Sequence, residues 1–205
     1  QMCIRDRVSL ISVAISIPLG ILLGVLMTKK NRLIRAILRI YLEIIRIMPQ
    51  MVLLFLAYFG TARAFGWNLD GETAAIIVFA LWGTAEMSDL VRGALVSIPR
   101  HQYESAEALG LTRGQVFRYV VLPQAVSISM PAFMANIIFL LKETSVFSAI
   151  SLMDLMFTAK DLIGLYYKTA ENLFLLVVFY LIILLPVSLL GSWLERRLRY
   201  AGFGS

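Results

Sequence analysis

The stretch Glu104–Pro123, ESAEALGLTRGQVFRYVVLP, is a polar island between two strongly apolar blocks of the chain. We expect two short helices with a tight joint at Gly110, which sits where a left-handed C-cap residue belongs. Pro99 lies near the start of the first helix, where its missing N–H costs little. The second helix opens with the capping-box pattern Thr112–Gln115 and is expected to run until Pro123.

The composition indicates an all-α membrane protein. The chain has 205 residues, of which 60% are hydrophobic and only 16% are charged, and a soluble domain of this size could not bury so much apolar surface. A membrane span needs about 20 mostly apolar residues, and helices satisfy their own backbone groups in lipid. Three uncharged runs approach that length: Val8–Thr28, Tyr119–Leu141 and Asn172–Leu194.

The net charge of +6 does not require a nucleic-acid partner, because basic residues collect in cytoplasmic loops of membrane proteins. Cys3 is the only cysteine in the sequence and His101 the only histidine. An internal disulfide is therefore excluded, and a metal site built on cysteine or histidine is not expected. We expect no cofactor on this chain.

Hydropathy and loop charges predict about five transmembrane helices, with the N-terminus outside and the C-terminus inside. Residues 33–47 are expected to form an amphipathic helix that leads into the second span, and Pro18 or Gly20 to kink the first span or allow a close helix contact. The segment Val146–Met153 is apolar but too short to cross, which favours a partly re-entrant or interfacial position. The predicted spans are Val8–Met27, residues 50–62, a helix from about Thr73, Ala125–Leu141 and Asn172–Leu194.

Residues 1–7, QMCIRDR, do not fit this pattern, because two arginines and an aspartate directly precede a span on the outer side. The apolar block that follows is too long for a signal peptide. We therefore expect a truncated or spurious start, with the membrane domain covering residues 8–200.

Charged residues inside the third span are unusual. Glu86, Asp89 and Arg92 fall close to one helix face, and a charge at bilayer depth costs about 2.5–3.5 kcal/mol. One interpretation is an Asp89–Arg92 pair at the cytoplasmic end, and the other is a polar lining of a translocation path or gate. The candidates for a solute path or gate are Glu86, Asp89, Lys142 and Glu143, with structural ion pairs between spans three and four as the alternative.

The polar island resembles the EAA loop of ABC-importer permease subunits. The E-A-A triplet of the family corresponds to Glu104, Ser105 and Ala106, and the glycine that follows at the family spacing is Gly110. The I-x-L-P ending corresponds to Val120, Leu122 and Pro123. Serine for alanine and valine for isoleucine are the two departures. This resemblance implies a type I ABC importer permease-like bundle, in which residues 98–124 form the cytoplasmic coupling loop.

Flanking motifs resemble the polar amino acid uptake branch of these permeases. His101 and Glu143 depart from the pattern of that branch, where glycine and aspartate are usual. The matching positions are Arg46, Pro49 and Gln50; Asp89, Arg92, Gly93, Ser97, Ile98, Pro99 and Gln102; Leu122–Ala125; and Lys142–Ser145.

The resemblance implies that the chain is half of a pathway in a bacterial cytoplasmic (inner) membrane and pairs with a second permease subunit. An ABC ATPase subunit, which would hold ATP and Mg²⁺, would dock on the loop, and an extracytoplasmic solute-binding protein would deliver a polar amino acid. The residues implied in ATPase coupling are Glu104, Ser105, Ala106, Leu109, Gly110, Arg113, Leu122 and Pro123. The small residues among them would allow close approach, Leu109 would be an apolar knob, and Glu104 and Arg113 would form charge-assisted bonds.

Two other classes of function are compatible with a membrane bundle. A stand-alone secondary transporter or channel for small polar solutes is disfavoured by the small number of spans and the missing internal repeat. An embedded enzyme would need a set of catalytic side chains. The only candidates for such a set are Lys142 and Ser145, which are close together in the sequence. The sequence has no G-x-x-x-x-G-K-[S/T] nucleotide-binding loop, so we expect that this chain is not an enzyme and does not hydrolyse ATP itself.

Overall fold

The computed structural model describes residues 2–200, and it describes side chains from Arg7 to Arg197. This part of the chain is helical with short connections and contains no strand. The α-helices are α1 Met2–Thr28, α2 Arg32–Ile47, α3 Gln50–Phe55, α4 Thr61–Phe65, α5 Gly71–Ser97, α6 Arg100–Ala108, α7 Arg113–Val116, α8 Leu122–Glu143, α9 Leu155–Tyr166 and α10 Thr169–Tyr200.

Two wider turns and one tighter segment complete the helical path. A π-helical turn, Leu56–Gly60, joins α3 to α4, and a second one, Phe117–Val121, joins α7 to α8. A 3₁₀ segment, Thr144–Ile150, follows α8 directly. Because these pieces join without a break, α3–α4 and α7–α8 each act as one long element.

The predicted number of membrane spans is confirmed. Four helical stretches of the described chain are long and apolar enough to cross a membrane: Arg7–Thr28, Gly71–Ser97, Arg113–Ile150 and Thr169–Arg197. A fifth is obtained when α2 and Gln50–Phe65 count as one span, although the two are bent by 101°. The bend follows from Pro49, because a residue before proline avoids helical backbone and Met48 is extended.

Small residues bring α1 and α5 into very close contact. A Cβ atom added at Gly20 would lie 2.3 Å from Met87 Cβ, and one at Gly83 would lie 2.4 Å from Ser16 Oγ. The Ser16 hydroxyl donates to the Ser12 carbonyl at 2.7 Å and approaches the Ala80 carbonyl at 3.3 Å. The expected close contact at Gly20 is confirmed, and we call this α1–α5 contact the small-residue seam.

The short apolar segment predicted to be partly re-entrant or interfacial packs into the protein core. Phe147, in the 3₁₀ segment, is 1% exposed and packs edge-on against Phe79 of α5, with ring centroids 4.6 Å apart. Leu54 and Leu140 belong to the same buried cluster. The segment thereby buries its apolar side chains against α3, α5 and the end of α8.

The predicted end of the second loop helix at Pro123 is wrong. The π turn before it explains the difference, because the Leu122 N–H donates to the Phe117 carbonyl five residues back. The wider turn relieves the clash that a proline ring makes with the preceding helical turn, and Pro123 needs no N–H bond. The loop therefore continues into α8 as one helix.

The prediction about residues 1–7 falls largely on positions whose side chains are not described. Arg7 is the exception, and its guanidinium forms an ion pair with Glu72 at the start of α5. Val8 beside it is fully buried. Arg7 and Val8 thus extend the packing of α1 on α5.

Candidate functional site

The joint of the polar loop, residues 98–124, is a Schellman motif. Gly110 has φ +83°, which confirms the predicted left-handed residue after α6. The Leu111 N–H donates to the Ala106 carbonyl at 3.2 Å, and the Gly110 N–H donates to the Glu107 carbonyl at 2.9 Å. These bonds satisfy the last carbonyls of α6 and fix the direction in which the chain leaves it.

The start of α7 has the predicted capping box, in which the Thr112 side chain accepts the Gln115 backbone N–H and the Gln115 side chain accepts the Thr112 backbone N–H. Gln115 Oε1 accepts the backbone N–H of Thr112 at 2.8 Å and also its hydroxyl at 2.9 Å. The glutamine thus caps the backbone as predicted, while the threonine hydroxyl binds the glutamine. The joint is rigid because Gly110 and Gln115 fix both of its sides.

The polar loop is seated firmly on the ends of α5 and α8. Ala106 of α6 and Val116 of α7 lie in one buried cluster with Ala94 of α5 and with Ile98, which directly follows α5. The Gln124 side chain, at the start of α8, lies 3.4 Å from Gln102 of α6. The loop therefore moves together with the helices that carry it.

The loop presents an apolar tip. Leu109 is 83% exposed, while Glu104 forms an ion pair with Arg100 at 3.0 Å and Arg113 is exposed. Ala106 corrects the expectation that all the small residues face a partner, because it is 4% exposed and packs inward. Ser105, Gly110, Leu122 and Pro123 are exposed.

Two of the predicted solute-path residues belong to an ionic cluster between α2 and α5. Arg46 Nε donates to Glu86 Oε1 at 2.8 Å, and Arg46 Nη1 donates to Asp89 Oδ2 at 2.8 Å. Arg92 Nη2 donates to the other oxygen of Asp89 at 2.7 Å. We call these four residues the charged cluster. The predicted Asp89–Arg92 pair is present, and Arg46 ties both carboxylates to α2.

Sequence reasoning did not find the partnership of Arg46 with α5. The available signal was the cost of unpaired charge at membrane depth, which demands a counter-ion for Glu86. The amphipathic helix α2 carries four arginines, so the signal did not single out Arg46. The packing of α2 on α5 makes the choice, because Leu42 packs with Ala85 and the Tyr41 hydroxyl donates to the Leu81 carbonyl about one turn before Arg46.

Lys142 and Glu143 lie apart from the charged cluster. Phe139 stacks on Trp82, and the Lys142 ammonium lies 5.1 Å from the Phe139 ring centroid on α8. Since α5 and α8 are antiparallel, this register places Lys142 and Glu86 about 10 Å apart along the helix axes. The structure thus separates the four predicted residues into two groups, and ion pairs between spans three and four do not form among them.

Three buried polar side chains lack a hydrogen-bond partner within the part of the chain that the structure describes. They are both amide atoms of Gln50, the hydroxyl of Thr84 and the amide oxygen of Asn136. Buried polar groups without partners are uncommon and call for water or a ligand. Asn136 lies on α8 about one turn before Phe139, so it adds a polar group that sequence reasoning missed inside the fourth span.

An apolar cavity inside the bundle is not suited to a charged solute. It has a volume of about 350 Å³, lies between α1, α5, α8 and α10, and Ser129 is its only polar lining residue. None of the predicted solute-path residues lines it. Among the described residues, no group of three or more His, Cys, Asp or Glu side chains could hold a metal ion.

Comparisons with known proteins agree with this architecture. Residues 16–200 match the family described as binding-protein-dependent transport system inner membrane component. The chain is 31% identical over 193 residues to the glutamine transport system permease protein GlnP of Escherichia coli (strain K12), which covers 94% of this chain and 88% of that protein. It is 28% identical over 198 residues to the arginine transport system permease protein ArtQ of Bacillus subtilis (strain 168). This match covers 97% of this chain and 90% of that protein.

A solved structure has the same fold. It is the crystal structure of an amino acid ABC transporter with histidines, with a TM-score of 0.87 and 28% identity over 96% of this chain and 91% of that chain. The chain therefore belongs to the binding-protein-dependent inner-membrane permeases of ABC importers. It is a multi-pass membrane transport subunit, and this family functions with ATPase and binding-protein partners. Family membership favours this class over a stand-alone transporter.

Proposed function

We propose that this chain translocates a polar amino acid as one of two permease subunits of an ATP-driven importer. The names of GlnP and ArtQ, for glutamine and arginine, support the class of solute without deciding which member is carried. An extracytoplasmic binding protein delivers the solute. ATP and Mg²⁺ bind to a separate ATPase subunit, and the polar loop and the C-terminus lie in the cytoplasm of a bacterium.

The observation that carries this proposal is the exposed Leu109 at the tip of a rigid, seated loop. An apolar side chain that is 83% exposed at a helix end gains by entering a pocket on a partner. Ser105 and Gly110 next to it are small and exposed, so that a second surface can approach closely. Glu104 and Arg113 supply charged groups at the rim.

The same loop transmits motion to the membrane. The helix from Arg113 continues through the π turn into α8, and Ala106 and Val116 attach the loop to the end of α5. Closure of the ATPase subunits would therefore tilt α5 and α8 together, which alternates access to the pathway.

Within the pathway we assign different roles to the two charged groups. Lys142 and Glu143 have no ion pair among the described side chains, so they are available to the carboxylate and ammonium of a zwitterion. Asn136 supplies an unpartnered amide oxygen on the same helix. Glu86 and Asp89 are occupied by Arg46, which supports a role as a gate that fastens α2 to α5.

The test is co-purification of an ATPase subunit with the intact chain and with a Leu109→Arg variant. Loss of a central anchor side chain costs at least about 2 kcal/mol, so we expect about thirty-fold less bound ATPase. The matched control is Leu165→Arg on α9, because Leu165 is 65% exposed and lies at the opposite end of the bundle. Equal retention of the ATPase by both variants would refute docking at the loop.

A further inference from the structure

A polar cavity of about 160 Å³ lies between α1, α2 and α5, beside the charged cluster. Its walls combine two apolar side chains with four arginines and two carboxylates. The lining residues are Met27, Leu42, Arg35, Arg39, Arg46, Arg92, Glu43 and Asp89.

The cavity has an excess of positive charge. Arg46 and Arg92 are paired with carboxylates of α5. Arg35 and Arg39, one helical turn apart, have no ion pair among side chains 7–197, and Arg35 only approaches the Lys29 carbonyl at 3.5 Å. Two neighbouring guanidinium groups repel each other, and a phosphate accepts the forked hydrogen bonds that arginine donates.

The helix that supplies most of this cavity also carries an exposed apolar stripe. Five large side chains on one face of α2 are 53% to 77% exposed: Leu33, Ile37, Ile40, Ile44 and Ile47. The opposite side of α2 is buried through Leu42, which packs with Met27 and Ala85. At 3.6 residues per turn, Arg35, Arg39 and Glu43 lie between the buried side and the stripe. Phosphate-binding groups thus adjoin a surface suited to acyl chains.

We propose that this cavity binds the phosphate of an anionic phospholipid of the cytoplasmic leaflet, whose acyl chains lie along the α2 stripe. Arg35 and Arg39 hold the phosphate, and Arg46 and Arg92 line the same cavity. The assignment rests on the proposed orientation, which places this end of α1, α2 and α5 at the cytoplasmic surface. Basic pockets between transmembrane helices on that side are suited to anionic headgroups, and an amphipathic helix in the interface is suited to the chains beside them.

The experiment measures lipids bound to the full chain, purified in mild detergent, by native mass spectrometry. Phosphatidylglycerol and phosphatidylcholine with identical acyl chains are compared, with and without inorganic phosphate as competitor. The test variant is Arg35→Gln/Arg39→Gln. The matched control, Lys30→Gln/Arg32→Gln, removes the same charge from neighbouring exposed residues outside the cavity, and Arg39→Lys keeps the charge within it.

We expect the intact chain to retain one phosphatidylglycerol in preference to phosphatidylcholine. Loss of two basic contacts weakens this binding about thirty-fold, whereas the control pair changes it by less than about threefold. Equal weakening in both double variants, or equal retention of both lipids by the intact chain, would overturn the proposal. Displacement of the lipid by inorganic phosphate would also overturn it, because the cavity would then be a site for free anions.

The comparison of lipids and the phosphate competition use the unaltered chain, so they remain decisive if a variant misfolds. None of these measurements involves solute uptake or an ATPase subunit. A negative result for the lipid therefore leaves the proposed transport function unaffected, and failure of ATPase co-purification leaves the lipid result unaffected.

Discussion

Arg46 and Glu86 are 40 residues apart in the sequence, and their side chains meet at 2.8 Å between α2 and α5. The side chains are only partly buried, at 38% and 19% exposure, and Arg46 also binds Asp89. Arg46 thereby bonds two carboxylates on a membrane helix, and Arg92 supplies the second positive charge that balances them. Its position next to the bend after α2 makes it the main polar attachment of that helix to the bundle.

The Arg46–Glu86 pair should show a measurable coupling energy. In a double-mutant cycle with Arg46→Ala and Glu86→Ala, we expect about 1–2 kcal/mol, between the values for exposed and for buried pairs. The free energy of unfolding in detergent micelles is the quantity to measure. The control cycle uses Arg100 and Glu104, which are 91% and 63% exposed, and should give less than about 0.5 kcal/mol. Equal couplings in the two cycles would contradict the attachment role of Arg46.

The small-residue seam predicts a contrast between two glycines. Gly20→Ala should lower the stability of the bundle by about 1–3 kcal/mol, because the new methyl group would overlap Met87 and force α1 away from α5. Gly93→Ala, with nothing within 4 Å of the added atom, should be stabilising by about 0.5–1 kcal/mol through helix propensity alone. Thermal unfolding of the two variants in the same detergent decides this. A similar melting temperature for both would show that the seam opens without cost.

The assignment of Lys142 to the solute path predicts a change in transport rather than in stability. In proteoliposomes with the complete importer, Lys142→Gln should raise the KM for the amino acid at least about tenfold, because one charge partner of the zwitterion is lost. Lys142→Arg should keep most of the affinity. Lys168→Gln is the control, since Lys168 is exposed and lies 3.8 Å from Glu171 at the start of α10. An unchanged KM with reduced protein level would assign Lys142 a structural role.

The Asp70 cap at the start of α5 predicts that the stability of the fold depends on pH. Its carboxylate accepts the Thr73 N–H at 3.1 Å, and hydrogen bonds from the Thr73 side chain and backbone lower the pKa of Asp70 below its ordinary value of 3.8. Because the pKa is lowered on folding, the stabilisation is fully present above the ordinary value and is lost as the pH falls through the lowered one. Asp70→Asn should keep a cap but remove this dependence. The measurement is the melting temperature of the unaltered chain and of the Asp70→Asn variant between about pH 6 and pH 3. If the melting temperatures of the two proteins fell in parallel with pH, the prediction would be wrong.

The local features of the loop could be predicted because they depend on neighbouring residues. Gly110 adopts the left-handed conformation that its place after α6 requires, and Gln115 caps the Thr112 backbone. Apolar runs likewise predicted the spans, since bilayer thickness fixes the length of a crossing helix. Pro123 was misread, because proline usually ends a helix and the π turn that accommodates it has no established sequence pattern.

Features that depend on distant segments could not be predicted. Arg46 reaches Glu86 because α2 packs on α5, and Phe147 is buried because Phe79 and Leu54 form a surface to receive it. Hydropathy is calculated from one segment at a time. It therefore gives Phe147 the same value whether the side chain faces lipid or a protein core. The separation of Lys142 from Glu86 depends in the same way on the register of α5 against α8.

The small-residue seam also constrains the order of biogenesis. Ser16 contacts the carbonyl of a residue 64 positions later, so α1 must enter the bilayer well before its packing partner has been synthesised. Its mean hydropathy of 2.5 is enough for stable insertion by itself. By contrast, α5 has a mean hydropathy of 1.5 and four charged residues, and it follows α1 and Arg46 in the chain. The small residues of the first helix thus provide a packing surface for the third span, and the less apolar of the two helices depends on that surface for its place in the bundle.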